Sequence, residues 1–243
     1  MEITQYNFAL LASLVCGNPL DLLKEIHDLE MGGAEGLHFD VMDGRFVPRL
    51  GLYPEFLKAV KSVSKLPVDV HLMIERPEDS IDAFIKAGMT SADTLVVHAE
   101  ATQHLHHVIK RVKDAGIKAG VALNPATPLC VLDYVLPSID NVTHMAINPG
   151  ILGHKLIPDM LRKIGDLKQY VAGYPQITIT VDGGVNPDSA ATMVRMGADM
   201  LVCGTSSIYK PPHSLRETVT EFRAHVTADL QSSLVPRALP YHV

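Results

Sequence analysis

VDVHLMIERPEDSIDAFIKA, residues 68–87, carries the pattern that decides the fold. It opens with the apolar run Val68–Ile74, interrupted by Asp69 and His71, and continues after a charged turn into an amphipathic segment over Pro77–Ala87. A short, β-branched run of this kind reads as a strand buried on both faces. Pro77 stands where a helix starts, because its missing N–H is unneeded in the first turn. The same unit recurs in both directions. Further strands are predicted at Phe8–Leu14, Gly36–Met42, Thr94–His98, Ala119–Leu123, Val142–Ile147, Ile177–Val181 and Met200–Cys203. Helices are predicted at Pro19–Met31, Pro54–Ser64, His104–Ala115, Leu129–Leu136, Pro158–Val171, Pro187–Met196 and Ser214–Leu230. Eight βα units in strict alternation mean a parallel sheet covered by helices. Their number and the short apolar first strand favour closure into a (β/α)₈ TIM barrel over an open doubly wound sheet. The barrel is expected to span residues 1–230 as one domain, with 231–243, which lacks amphipathic period and holds Pro236 and Pro240, as a flexible tail.

Composition narrows the function. Hydrophobic residues at 47% and charged residues at 20% fit a soluble domain with a sizeable core. Lys+Arg 21 against Asp+Glu 27 gives a net charge of −6, which argues against a nucleic-acid surface but leaves room for a local basic pocket. Cys16, Cys130 and Cys203 show no CxxC spacing, so neither a disulfide framework nor a zinc knuckle is expected. Glu2 stands where a signal peptide would be basic, the apolar run Phe8–Cys16 is short, and no run reaches the roughly 18 residues of a membrane helix. A cytoplasmic protein without membrane or nucleic-acid partners is expected.

Barrels of this type place chemistry at the C-terminal ends of strands, so polar residues there are informative. His38, Asp40 and Met42 share one face of the second strand, and Asp69, His71 and Met73 share one face of the third. Asp182 ends the seventh, followed by Gly183 and Gly184. A barrel interior is normally aliphatic; imidazoles and carboxylates buried there must be paired or metal-bound. Two histidines and two aspartates form a mixed N/O set suited to Zn, Fe, Mn or Co as a divalent ion.

LHFDVMDGRFVP (37–48), LPVDVHLM (66–73), KAGVALNPATPL (118–129), INPG (147–150), TVDGGVNP (180–187) and LVCGTS (201–206), in this order, resemble the ribulose-phosphate 3-epimerases. The similarity runs from about Ser13 to Tyr209. It implies a (β/α)₈ barrel that inverts the carbon beside the carbonyl of a small phosphorylated sugar, D-ribulose 5-phosphate to D-xylulose 5-phosphate. The resemblance carries the metal ligands onto His38, Asp40, His71 and Asp182, and the two acid/base groups onto Asp40 and Asp182. Substrate contacts are implied for Ser13, His71, Met42, Met73 and Met145, and for the phosphate-side residues Gly150, Gly153, Gly183, Gly184, Gly204 and Thr205. A homo-oligomer is also expected. Two carboxylates can serve as base and acid on opposite faces of the substrate and exchange roles in the reverse direction. An enediolate between them needs nearby positive charge, which a divalent metal supplies. The methionines read either as core filling or as a screen that keeps water from the enediolate.

The chain departs from the family pattern around the substrate. Ile151-Leu152-Gly153-His154-Lys155 replaces Phe-Gly-Gly-Gln after the sixth strand, and Arg45 and Arg49 replace His and Asn after the second. Cys16 stands where a second serine is usual, and Asn18 near a usual aspartate. These changes leave the reaction type intact and open the identity of the sugar, with allulose 6-phosphate or a tetrulose phosphate as alternatives. A catalytically silent sugar-phosphate-binding relative is the rival of another class, opposed by retention of all four metal-site residues. His98 and Glu100 read equally as structural or substrate-contacting, and His104, His106 and His107 as a solvated helix end.

Overall fold

The computed structural model describes residues 8–151, 154–210 and 212–232. All eight predicted strands form: β1 (Ala9–Ser13), β2 (Gly36–Met42), β3 (Val68–Met73), β4 (Thr94–His98), β5 (Lys118–Leu123), β6 (Asn141–Met145), β7 (Thr178–Asp182) and β8 (Met200–Cys203). Each pairs in parallel with its successor, and β8 pairs with β1 through Ala9↔Met200 to Ala12↔Cys203. The sheet is a closed barrel, and the open doubly wound alternative is excluded.

Among the described residues seven α-helices cover it: α1 (Leu22–Gly32), α2 (Pro54–Val63), α3 (Ile81–Lys86), α4 (Leu105–Asp114), α5 (Asp159–Tyr170), α6 (Pro187–Met196) and α7 (Leu215–Ser232). α6 matches its expected bounds because its stop and start signals are local. Asn186 accepts from the Asp188 and Ser189 N–H groups, Pro187 opens the helix, and Gly197 ends it at φ 117°. Three expected helices need correction. The predicted helix Pro77–Ala87 is a 3₁₀ turn, Pro77–Asp79, followed by the short α3, with Ser80 at φ −118° between them. The predicted helix Leu129–Leu136 is a pair of short 3₁₀ turns, Leu129–Leu132 and Leu136–Ser138. Pro137 denies an N–H to the second half, and Lys163 Nζ takes the carbonyls of Asn124, Pro125 and Thr127 at 2.7–3.0 Å, fixing the preceding loop. α1 starts at Leu22 rather than Pro19, because Asn18 Oδ1 accepts the Leu20 N–H and holds a turn there. Gln231 and Ser232 belong to α7, while 233–243 of the expected tail lie outside the described residues.

Strand alternation divides the core into two. Outward residues such as Leu37, Phe39, Val70, Leu72, Val121, Ile179 and Leu201 are fully buried against helix residues including Ile26, Leu29, Leu57, Ile81, Ile109 and Ile164. Each such side chain contributes roughly 1.5–3 kcal/mol on burial. The inward face of the barrel is polar by comparison: Ser13, His38, Asp40, Asp69, His71, His98, Asn141, Thr143 and Thr180 are all buried. At the seam between the chain's first and last elements, Arg223 of α7 reaches the Gly33 carbonyl at 3.1 Å and Glu35 at 2.5 Å. Glu35 in turn accepts the Leu10 N–H of β1 at 2.8 Å.

His144 lies outside the barrel under α5, donating Nε2–H to the Met160 carbonyl at 3.1 Å, with Nδ1 unpartnered. Burial, and then the nearby Lys163 charge, push its imidazole down to about 4 against that hydrogen bond. The folded state therefore holds it neutral while the unfolded chain takes up a proton below about 6.5. Its contribution is full above pH 6.5 and is lost as pH falls towards 4, about 3 kcal/mol in all. Urea unfolding at pH 7 and pH 4.5 is expected to show a smaller acid loss in His144→Gln than in wild type. An equal loss in both would assign acid sensitivity elsewhere.

Candidate active site

Register sets the site. His38 pairs beside Asp69, Asp40 beside His71, and Met42 beside Met73 along β2 and β3. Ser13 pairs beside His38 on one side, and Met145 beside Asp182 on the other. These inward residues converge at the C-terminal mouth, where one ligand atom each from His38, Asp40, His71 and Asp182 lies within 4.8 Å of the others. β2 and β7 are separated in the ring by β1 and β8, so Asp40 and Asp182 enter the mouth from different sides.

The contacts around these four groups leave atoms aimed at a common point. His38 Nδ1 bonds Asp69 Oδ2 at 2.9 Å, and Ser13 Oγ donates to Asp40 Oδ2 at 2.7 Å. His38 Nε2 then lies 3.2 Å from Asp40 Oδ1 and 3.7 Å from Asp182 Oδ2, and His71 Nδ1 lies 3.4 Å from Asp182 Oδ2. Despite these distances both imidazole nitrogens are buried without a hydrogen-bond partner. Close approach without alignment means the groups face a shared centre rather than each other. Two orphan nitrogens and two carboxylate oxygens fit a divalent transition metal in number and type. Electrostatics agree. Burial opposes a charge on His38, yet Asp40, Asp69 and Asp182 outweigh it and hold its pKa well above the usual imidazole range. Burial likewise opposes ionisation of Asp40, but His38, His71 and the Ser13 hydroxyl hold it below the usual carboxylate range. The centre attracts positive charge.

Asp69 was legible only as a face-sharing residue; its bond to His38 orients that imidazole. His98, inward on β4, is fully buried with its Nε2 2.9 Å from His71 Nε2 and its Nδ1 3.2 Å from Glu100 Oε2. Alternation signals that both residues point inward; register then sets Asp69 beside His38, and His98 on the diagonal from His71, two residues beyond its partner Val96.

Above the centre, Met42 and Met73 pack with Val47, Val15 and Phe46 in a small apolar cluster separate from the main core. The loop after β2 builds it by doubling back: Asp43 and Leu50 bridge in antiparallel fashion, and Leu52 N–H donates to the Asp40 carbonyl at 2.8 Å. Phe46 lies 4.8 Å from His98 between ring centroids. Gly150, at φ 72°, seats the loop after β6 on this arch; a Cβ there would lie 2.4 Å from Val47 Cβ. A cavity of about 490 Å³ opens beside the arch, lined by Ser13, Asp40 and Asp182 at its base and by Gly183, Gly184, Gly204, Thr205 and Ser206 on one wall. The glycine identity of Gly183 follows from the fold itself, since its φ is 93° and a Cβ would lie 2.3 Å from Ile147.

Met42, Met73, Met145, Gly150, Cys16, Arg49, Ile151, His154 and Lys155 also line the cavity. Arg45 does not line it and is exposed, and Asn18 is spent on its turn. Leu152 and Gly153 lie outside the described residues. His104, His106 and His107 are exposed and contribute to no metal-competent group among the described residues.

The family model described as the Ribulose-phosphate 3 epimerase family matches residues 9–209. The chain belongs to this family. Among its relatives, the ribulose-phosphate 3-epimerase of Bacillus subtilis is 48% identical over 76% of this chain and 85% of that protein. The Synechocystis enzyme of the same name is 39% identical over 85% and 90%, and a chloroplastic Arabidopsis thaliana ribulose-5-phosphate-3-epimerase is 42% identical over 80% and 69%. A solved structure titled as native KDPGal covers 91% of this chain and 96% of its own, with TM-score 0.60 and 16% identity; at that distance it shares the fold. Membership makes the chain a carbohydrate epimerase of ketose phosphates. No helix among the described residues is long and apolar enough to cross a membrane.

Proposed function

We propose that this epimerase interconverts D-ribulose 5-phosphate and D-xylulose 5-phosphate by two-base proton transfer, with one divalent transition metal (Zn, Fe, Mn or Co) held by His38, Asp40, His71 and Asp182. The observation that carries it is the pair of orphan imidazole nitrogens facing two carboxylates from different sides of one mouth. When bound there, the cation supplies Lewis-acid stabilisation for the negative charge developing on the substrate's carbonyl oxygen. One aspartate removes the proton beside the carbonyl and the other returns a proton to the opposite face. Ser13 holds one oxygen of Asp40, leaving the other towards the centre. The buried Met42, Met73 and Met145 exclude water from the reacting carbon. The glycine wall and Thr205 offer backbone N–H groups to the phosphate.

A second reading, that another ketose phosphate is preferred, rests on Arg49, Ile151, His154 and Lys155 lining the cavity. Pentulose, hexulose and tetrulose phosphates assayed on metal-reconstituted protein in deuterated water decide between the two. Ribulose 5-phosphate is expected to turn over best, with deuterium entering at the inverted carbon. Lys155 is exposed, so Lys155→Ala is expected to raise KM roughly two- to fivefold with kcat unchanged. If a different sugar leads, and Leu152→Gly shifts preference back to the pentulose, the second reading replaces the first.

A further inference from the structure

His38, Asp40 and His71 each have a side-chain partner that fixes their direction, and the longest such chain leads away from the site. His71 Nε2 meets His98 Nε2 at 2.9 Å. Their ring planes differ by 19° and their centroids lie 4.9 Å apart, so the rings meet edge to edge in nearly parallel planes, as an in-plane N–H···N bond requires. His98 Nδ1 faces Glu100 Oε2 at 3.2 Å. The other oxygen of Glu100 accepts the Asn124 N–H at 2.9 Å and the Thr127 hydroxyl. A carboxylate only accepts hydrogen bonds. His98 must then donate from Nδ1, which leaves its Nε2 as an acceptor. His71 must donate from Nε2, which leaves its Nδ1 lone pair bare. That nitrogen is one of the two orphans facing the centre.

We infer that Glu100 is a positioning residue which, through His98, locks His71 in the tautomer whose Nδ1 can bind a metal. This rests on the metal reading above and goes beyond it, since Glu100 touches neither the centre nor the cavity lining. His38 receives the same service directly from Asp69. Partners of this type typically set ligand orientation and are worth 10–100-fold in metal affinity.

Long-range ¹⁵N–¹H correlation on metal-free wild-type protein, above the imidazole titration range, reads the tautomer directly. A proton on His71 Nε2 with bare Nδ1 is expected; a proton on Nδ1 overturns the inference with no variant required. Calorimetric titration with Zn²⁺ and Mn²⁺ supplies the second readout. Glu100→Ala and His98→Phe are each expected to weaken binding roughly 10–100-fold. Because they act in series, the double variant is expected to lose no more than either alone. Thr127→Val removes a tie between Glu100 and the 124–127 loop while leaving His98 served, and is expected to bind metal as wild type does. Equal losses in Thr127→Val and Glu100→Ala would make the role loop anchoring and overturn the inference. Wild-type protein that binds neither ion would end the metal reading, while the tautomer spectrum still decides this one.

Discussion

Asp182→Asn is expected to lower kcat by roughly 10⁴-fold, the upper range for loss of a positioned acid/base group. Asparagine keeps the shape and one oxygen of the side chain but can neither take nor deliver the proton. The expected signature is more specific than lost turnover. With Asp40 intact, one face of the substrate still meets a base, so one epimer should exchange its proton with solvent deuterium without inverting. The other epimer should be inert. Asp40→Asn is expected to reverse that preference. Metal content must be measured beside both rates, since each aspartate also belongs to the four-residue group. A variant that retains metal and still epimerises at the wild-type rate would clear that aspartate of any proton-transfer role. Exchange from both epimers alike would replace the two-base scheme with a single mobile base.

Removing the metal is expected to cost roughly a thousandfold or more in rate, the equivalent of several kcal/mol of charge stabilisation. Readdition of Mn²⁺, Zn²⁺, Fe²⁺ or Co²⁺ should restore activity, and the ion that restores most identifies the preferred one. Stability gives an independent measure. A ligand bound only by the folded chain adds about 2.7 kcal/mol at one hundred times its dissociation constant, so the reconstituted protein should melt higher. The rise should vanish in His38→Ala, which deletes one orphan nitrogen. Full activity in demonstrably metal-free protein would remove the Lewis acid from the mechanism.

Much of this was legible in the residues because the determining signals are local. Gly36–Met42, Thr94–His98 and Met200–Cys203 coincide with β2, β4 and β8, since short, largely apolar runs between turn signals have few alternatives. Alternation along β2 and β3 by itself puts His38, Asp40, Asp69 and His71 on one side. The Leu129–Leu136 segment misled because its apolar content suits a helix, whereas Pro137 interrupts its end and Lys163, a residue of another element, holds the loop that leads into it. Tertiary contacts of that kind leave no periodic trace. The His71–His98–Glu100 chain was hidden for a related reason: alternation places His98 inside, but only the β3–β4 register, which sets Val96 beside His71, puts His98 on the diagonal within reach of it. Arg45 and Arg49, equivalent as charges in a sequence, separate once the loop after β2 is seen to double back, leaving only Arg49 in the cavity lining.

The closure of β8 onto β1 has a bearing on how this protein comes into being. Three members of the four-residue group lie between residues 38 and 71, and the fourth is Asp182. A ribosome would release the first three long before the last, as an incomplete set on an unclosed sheet. Only when β8 has docked on β1 does Asp182 stand opposite His38. Completion of the centre therefore reports completion of the ring. Arg223, far along the chain in α7, ties that last helix to the turn before β2 and, through Glu35, to β1.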